Sequence, residues 1–352
     1  MSLKVAESVV DVVGNTPMVR LNRLAKHLKA NLYGKMEFLN PGGSVKDRVA
    51  FQIIKDAEDE GLLKPGGTVI EATSGNTGMG LALAAAIRGY KTVFVMPDKM
   101  SQEKISTLRA FGSKVVVTPT AVEPDDPRSY YSVAAKLVAE TPDSFYANQY
   151  YNPSNPRAHY LSTGPEIWEA TEGKIDVFIA AMGTGGTISG IGKYLKEKNP
   201  NIKVVGVDPV GSLLYDYFHT GQMTQALTYK VEGFGEDFLP GTLDFSVIDD
   251  VVRVTDADCF QMTRRLVREE GLYTGGSSGG AVAGAIKWLE NHDGPLTAVT
   301  ILCDSASRYL SKIFDDDWMR EHGFLAPPPH QGLVIDLLKV KDRAEVIHAR
   351  PE

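Results

Sequence analysis

An α/β protein made of two doubly wound units is the fold class this sequence predicts, and three observations predict it. Short apolar, β-branched runs alternate with helical patterns, the signature of parallel sheets wrapped by helices. Glycine-rich junctions leave several of those runs and open the next helix, where such sheets place their ligands. The chain is also long enough for two domains, with 352 residues, 43% of them hydrophobic and 23% charged.

The first junction is Asn40-Pro-Gly-Gly-Ser-Val-Lys-Asp-Arg48. Pro41, Gly42 and Gly43 make a turn that admits unusual backbone angles, and Ser44 is an N-cap for a helix from Val45 to about Glu60. Lys46 then sits in the first helical turn. The positive end of the helix dipole disfavours its charged form there and brings a neutral, nucleophilic amine within reach. Next come a strand at 68–72, a helix at 77–88, a strand at 92–96, a helix at 102–111 and a strand at 114–117. After Tyr151-Asn-Pro-Ser-Asn-Pro156 a second series begins, with strand 177–182, helix 187–198, strand 204–208 and strand 299–303. The pattern predicts one α/β domain over 1–155, whose first residues cross to the other domain, and a second over 156–325. A stiff linker, Ala326-Pro-Pro-Pro329, then leads into an apolar-striped tail ending at 352.

Composition excludes several function classes. Lys plus Arg number 37 against 44 Asp plus Glu, a net charge of −7 without a basic run, which argues against a nucleic-acid binder. Cys259 and Cys303 are the only cysteines and lie far apart, so neither a disulfide framework nor a zinc pattern is present. No signal peptide and no apolar run of spanning length occurs. A cytoplasmic protein without a membrane partner or a metal is the expectation.

Three further junctions carry chemistry. Gly183-Thr-Gly-Gly-Thr187 follows a strand and opens a helix, so backbone N–H groups and the helix N-terminus can cradle a dianionic phosphate. A dinucleotide-binding loop is the competing reading, but the spacing is not G-x-G-x-x-G and the loop does not open the chain. Glu71-Ala-Thr-Ser-Gly-Asn-Thr-Gly78 offers hydroxyls from Thr73, Ser74 and Thr77 and an amide from Asn76, beside free N–H groups that can receive a carboxylate. Leu272-Tyr-Thr-Gly-Gly-Ser-Ser-Gly-Gly280 is a hydroxyl-rich turn into a helix. Taken alone, the last two are equally capped or flexible turns, while phosphate binding is the preferred reading of the first. A lysine at a helix start, a phosphate cup, a carboxylate cup and a hydroxyl-rich turn together suit pyridoxal phosphate.

On Pro41-Gly-Gly-Ser-Val-Lys-Asp-Arg48, Thr73-Ser-Gly-Asn-Thr-Gly78 and Gly183-Thr-Gly-Gly-Thr187, the chain resembles the fold-type II pyridoxal-phosphate enzymes of the cysteine synthase and cystathionine β-synthase family over roughly residues 5–325. That resemblance implies a tryptophan synthase β-like fold with the active site in the cleft between the two domains. It implies that Lys46 is the Schiff-base lysine and general base, and that Asn76 bonds the cofactor's ring hydroxyl. Gly183, Thr184, Gly185, Gly186 and Thr187 would hold the phosphate, and Ser277 would meet the pyridine nitrogen. Thr73, Ser74, Gly75, Asn76 and Thr77 would close on the substrate carboxylate, with Gln149 across from them. A hydroxyl at the pyridine nitrogen leaves the ring a weaker electron sink than a carboxylate would, which favours elimination through an aminoacrylate followed by thiol attack.

Met96-Pro-Asp-Lys-Met-Ser101, Val231-Glu-Gly-Phe-Gly-Glu-Asp-Phe238 and Asp304-Ser-Ala-Ser-Arg-Tyr-Leu-Ser-Lys-Ile-Phe314, followed by Trp318-Met319, look like the branch that condenses serine with homocysteine to cystathionine. Glu236 or Asp237 would then bind the amino group of homocysteine, which sulfide lacks. Glu236 departs from the animal enzymes, which resemble Tyr there. The alternatives are a cysteine synthase using O-acetylserine and sulfide, a hydroxyamino-acid dehydratase, and a silent pyridoxal-phosphate scaffold. Release of hydrogen sulfide from cysteine is an expected side reaction. The resemblance implies a homodimer acting on small amino acids. With the core starting near Met1, no equivalent Cys/His pair, and Asn199-Pro-Asn-Ile202 where the animal enzymes carry a redox Cys-x-x-Cys, no haem is expected. The tail resembles the opening of a truncated nucleotide-binding regulatory region; the alternative is a short natural tail whose apolar stripe packs on the core or a partner.

Overall fold

Strand Thr68–Ala72 is buried along its whole length, and such a strand, apolar on both faces, must be covered by helices on both sides. That requirement organises the computed structural model of the protein, which describes residues 5–326 except positions 74, 99, 101, 120–121, 123–125 and 293. Ser74, Lys99, Ser101 and the tail beyond 326 lie outside the described residues. The described residues divide into two compact units, the first ending at Arg308 and the second beginning at Tyr309.

Ten strands are found among the described residues: β1 (Met18–Arg20), β2 (Asn31–Met36), β3 (Thr68–Ala72), β4 (Lys91–Pro97), β5 (Lys114–Thr118), β6 (Ser144–Tyr146), β7 (Val177–Ala181), β8 (Lys203–Pro209), β9 (Asp250–Val254) and β10 (Thr297–Leu302). They form a six-stranded sheet ordered β1-β2-β10-β7-β8-β9 and a four-stranded sheet ordered β5-β4-β3-β6. Only β1 runs antiparallel to its neighbour; every other pairing is parallel. The helices are α1 (Lys46–Asp59), α2 (Asn76–Arg88), α3 (Gln102–Ala110), α4 (Tyr130–Glu140), α5 (Ser154–Ala158), α6 (Gly164–Ala170), α7 (Gly186–Lys198), α8 (Leu214–Thr220), α9 (Asp256–Arg265) and α10 (Gly276–Glu290) in the first unit, and α11 (Asp316–Glu321) in the second. A π-helical turn, His159–Thr163, joins α5 to α6.

The strand order sets where a ligand can sit. In the small sheet the chain winds from β3 to β4 and β5, then returns to the other side of β3 with β6. The large sheet repeats this, from β7 to β8 and β9 and back with β10. Each reversal opens a crevice at the carboxyl ends of the strands. One crevice is bounded by residues 73, 75–78 and 147–149, the other by 183–187 and 303–304. Separate apolar cores stabilise the two sheets. One includes Val49, Ile53, Leu81 and Phe94, the other Phe178, Ile191, Val204 and Ile301.

The elements read from the sequence are present with ends shifted by a residue or two. Strands β1, β2, β6 and β9 were not among them, and β1 and β2 belong to the sheet of the later strands. The expected Ser44 cap differs in detail. Val45 holds the cap position of α1, while Ser44 Oγ accepts from the Lys46 N–H at 3.3 Å.

Candidate active site

Lys46 is the first residue of α1, and the loop before it is fixed from three directions. The Gly42 N–H donates to Asp47 Oδ2 at 2.5 Å, and a Cβ added at Gly42 would lie 2.5 Å from Asp47 Oδ1, so only glycine fits. Gly43 follows at φ +77. The Val45 N–H donates to the Cys303 carbonyl at 2.8 Å, tying the lysine to the end of β10. Arg308 Nη2 donates to the Gly42 carbonyl at 2.5 Å. Burial holds the Asp47 carboxyl up at about 6, against the pull of the Gly42 N–H. The Asp-Arg that ends the motif is thus a frame for the lysine.

Arg48 anchors the far side. Its guanidinium donates to Glu37 at 2.7 and 2.9 Å and to Glu166 at 2.6 and 2.7 Å, and Lys35 Nζ reaches Glu166 at 2.6 Å. Glu37, Lys35 and Arg48 are buried. Their charges are matched by paired, hydrogen-bonded partners, which is what makes burial tolerable.

The Lys46 side chain is half-buried, and desolvation lowers its pKa. Cys303, Asp304 and Glu236 act in the opposite direction, so all three lie within electrostatic range of the amine. This agrees with a lysine poised to lose its proton at the head of a helix.

The glycine-rich loop leads from β7 into α7. Gly185 is left-handed at φ +84, and a Cβ on it would lie 2.4 Å from Leu243 Cβ; one on Gly186 would lie 2.1 Å from Asn155 Oδ1. The loop is therefore pressed against the protein behind it. The first N–H groups of α7 have no partners within the helix and face outward along its axis. This is a cradle for a dianion, and the residues present fit the phosphate of pyridoxal phosphate. Thr184 Oγ1 accepts from Asn155 Nδ2 at 3.0 Å, and the Thr184 carbonyl accepts from Thr242 at 2.6 Å. Thr187 Oγ1 lies 3.1 Å from His159 Nε2.

The carboxylate loop opens α2. Thr73 Oγ1 turns inward and accepts from the N–H groups of Gly75 and Gly78 at 3.1 and 3.3 Å, so it shapes the loop. Gly75 takes φ +153. Thr77 Oγ1 donates to Gln149 Oε1 at 2.5 Å, which brings these two predicted residues together. Gln149 is held by Glu71, whose two oxygens accept from the N–H groups of Asn148 and Gln149 at 2.6 and 3.2 Å. Burial pushes that carboxyl up to about 8. Asn76 Nδ2 donates to Asp304 Oδ2 at 2.8 Å, and its Oδ1 accepts from Arg308.

Ser277 is buried in the first turn of α10, hydrogen-bonded to the Cys303 side chain, with Gly233 packed over it. Burial raises the Cys303 thiol to about 12, which keeps it neutral. Glu236 reaches the cup: its Oε1 would lie 3.7 Å from a Cβ on Gly183. Its carboxyl is raised to about 8 by burial and by Asp237, while a hydrogen bond with Tyr150 and the charge of Lys46 oppose the rise. At neutral pH Glu236 therefore holds a proton. An arriving ammonium group would draw that proton off.

Contacts join several of the described site residues: Asp304 holds Asn76, and Gln149 and Thr184 share Asn155, while Asp304 and Glu236 lie within electrostatic range of Lys46. Sequence reasoning missed Glu71, Tyr150, Asn155, His159, Asp304 and Arg308. Asp304 and Arg308 stand in a motif used only for its family likeness, and Asn155 in the segment read only as preceding the second series. Lys104 was missed too. Its Nζ pairs with Glu232 at 2.5 Å and its stem lies over Gly75, joining α3 to the loop that carries Glu236. Among the described residues no group of three or more side chains could hold a metal, and no helix is long and apolar enough to cross a membrane.

The pyridoxal-phosphate dependent enzyme family matches residues 9–304. A cystathionine beta-synthase of Apis mellifera is 50% identical over 326 residues, 92% of this chain and 64% of the relative. The Rattus norvegicus protein of that name is 49% identical over the same share of this chain and 58% of the relative. Cysteine synthase 1 of Neurospora crassa is 41% identical over 92% of this chain and 88% of the relative. The crystal structure of a hydrogen sulfide-producing enzyme from Fusobacterium nucleatum has a TM-score of 0.80 and 39% identity, covering 87% of this chain and 100% of that one. The chain thus spans about three-fifths of the length of the two cystathionine beta-synthases.

Proposed function

The chain belongs to the pyridoxal-phosphate-dependent enzyme family, and we propose that within it this protein exchanges the β-substituent of an amino acid, condensing L-serine with L-homocysteine to give L-cystathionine and water. The observation that carries the reading is Lys46: a desolvated amine at the head of α1, within electrostatic range of Cys303, Asp304 and Glu236. Identity of 45–50% to proteins named cystathionine beta-synthase, against 41% to a cysteine synthase, supports the choice of substrates.

Residues 183–187 would hold the phosphate, Ser277 the ring nitrogen, Asn76 the ring hydroxyl and Lys46 the aldehyde carbon. When bound, pyridoxal phosphate supplies the electron sink that acidifies the substrate's Cα–H. Lys46 Nζ takes that proton as general base and returns it at the end of the cycle. The loop of residues 73–77, with Gln149, receives the substrate carboxylate at the start of α2. The serine Cβ–O bond breaks and the hydroxyl departs as water, a new C–S bond forms from Cβ to the homocysteine sulfur, and the proton that the thiol gives up balances the one the hydroxyl takes. Glu236 receives the homocysteine ammonium, giving up its proton as that cation arrives.

The same reading makes the protein a cytoplasmic homodimer with lobes at 1–155 and 156–325, in keeping with two free cysteines. The test offers serine or O-acetylserine, each with homocysteine or sulfide, to the purified protein and follows cofactor absorbance and products. Cystathionine from serine and homocysteine supports the proposal. Cysteine from O-acetylserine and sulfide, with homocysteine ignored, would mean a cysteine synthase, the reading favoured by the Neurospora relative. Absorbance that ignores serine would mean a silent scaffold. Hydrogen sulfide from cysteine is expected as a side product, because a thiol leaves the same β-carbon.

A further inference from the structure

His159 lies outside every motif above, yet it is fully buried and touches the phosphate cup. It opens the π-helical turn between α5 and α6. Such turns recur at functional sites. Nδ1 lies 2.9 Å from Thr163 Oγ1 and Nε2 lies 3.1 Å from Thr187 Oγ1. The ring cannot swing away. A Cβ on Gly190 of α7 would lie 2.1 Å from the Pro156 carbonyl and 2.9 Å from His159 Cβ, so the two backbones are pressed together.

We propose that His159 is a positioning residue for the cofactor phosphate, donating from Nε2–H to Thr187 so that the Thr187 hydroxyl turns its own proton into the cup. The argument is a count of protons. Burial first, then the positive charges of Lys46 and Arg48, push the imidazole pKa well below its ordinary value against Glu166, so the ring is neutral and carries a single N–H. A hydroxyl also donates once. If Nδ1 carried the hydrogen, Nε2 would consume the Thr187 proton and the threonine would offer a dianion only lone pairs. With the hydrogen on Nε2, Thr163 donates to Nδ1, His159 donates to Thr187, and Thr187 donates to phosphate. All three hydrogens then point toward the negative charge, and hydrogen bonds to ionised groups are the strong ones.

The proposal rests on residues 183–187 being the phosphate cup, and the test separates the two ideas. Apo protein is titrated with pyridoxal phosphate for wild type, Thr187→Val, His159→Leu, His159→Gln and the Thr187→Val/His159→Leu double variant. Melting of each apo form checks folding. Thr187→Val and His159→Leu should each weaken binding by about 10- to 100-fold, the worth of one hydrogen bond to a charged group. The double variant should be no worse than either single one, because both remove the same chain of donors. His159→Gln, whose amide N–H can stand in for Nε2–H, should bind within about threefold of wild type. In ¹⁵N-histidine spectra of the holoenzyme, Nε2 should carry the hydrogen. Normal affinity in His159→Leu beside a weakened Thr187→Val would overturn the role of His159 and leave the cup standing. Unchanged affinity in Thr187→Val would remove the cup reading and the proposal with it. Should His159→Leu not fold, a weakened His159→Gln or a hydrogen on Nδ1 still refutes the proposal.

Discussion

Glu166→Gln tests the frame behind Lys46 in a single change. Glu166 accepts four hydrogen bonds, from Lys35, from both Arg48 Nη atoms and from the Asn15 N–H, at 2.6 to 2.9 Å. Its own burial raises the carboxyl, but the Arg48 and Lys35 bonds win and hold it at about 2 against an ordinary 4.5. A carboxyl lowered on folding contributes stability that is fully present above its unfolded value and is lost as pH falls toward the folded one. That difference is worth about 3 kcal/mol at pH 7, with the side chain only 16% exposed. Removing one partner from a buried pair gives a similar figure, about 3–5 kcal/mol. Set against a typical stability of about 5–15 kcal/mol, this is a large share. Urea unfolding of wild type and variant, followed by circular dichroism from pH 7 down to pH 3, reads it. The gap between the two proteins should be about 3 kcal/mol at pH 7, begin to close below about pH 5 and keep closing to pH 3. A gap under about 1 kcal/mol at pH 7, or one that ignores pH, would refute the reasoning.

The other predictions concern the site itself. Lys46→Ala should lower turnover by at least about 100-fold, the smaller end of what a general base contributes, and abolish the absorbance of lysine-bound cofactor; near-normal activity would discard the assignment. Gly186→Ala forces a Cβ to within 2.1 Å of Asn155 Oδ1, and overpacking of about 1–3 kcal/mol should appear as roughly tenfold weaker cofactor binding; an unchanged affinity would count against the cup. In wild type the KM for homocysteine should fall as pH rises through about 8, where Glu236 loses its proton. That limb should vanish in Glu236→Gln, and its survival there would assign it to the thiol instead.

The parallel strands β3, β4, β5, β7, β8 and β10 were legible because largely apolar, β-branched runs such as Thr68-Val-Ile-Glu-Ala72 read the same whichever sheet they join. β2 was not legible. Asn31-Leu-Tyr-Gly-Lys-Met36 carries Lys35 at a buried position, and a charge in a strand's core face breaks the apolar pattern until its partners Thr16 and Glu166 are seen. The site divides in the same way. Lys46, residues 183–187 and Ser277 stand at helix starts, and local turn chemistry marks those starts in the sequence. His159, Asn155, Asp304 and Arg308 act through partners 28 to 232 residues away, a distance over which no local pattern carries information. The protonation of Glu236 was likewise invisible, because it follows from burial beside Asp237 and Tyr150.

β10, the last strand of the first unit, lies between β2 and β7 in the middle of the large sheet. During synthesis the small sheet, contiguous from residue 68 to 146, can close while the rest of the chain is still being made. The large sheet cannot. Until residues 297–302 emerge, β2 lacks a parallel neighbour and β7 has an open edge, the kind of unpaired strand that invites association with other chains. The same strand delivers Cys303 and Asp304 to Lys46, so the nascent chain has no complete binding cleft until its largest sheet is whole. Cofactor capture can therefore only follow the emergence of residues 297–304, after the period in which the half-built sheet most needs protection.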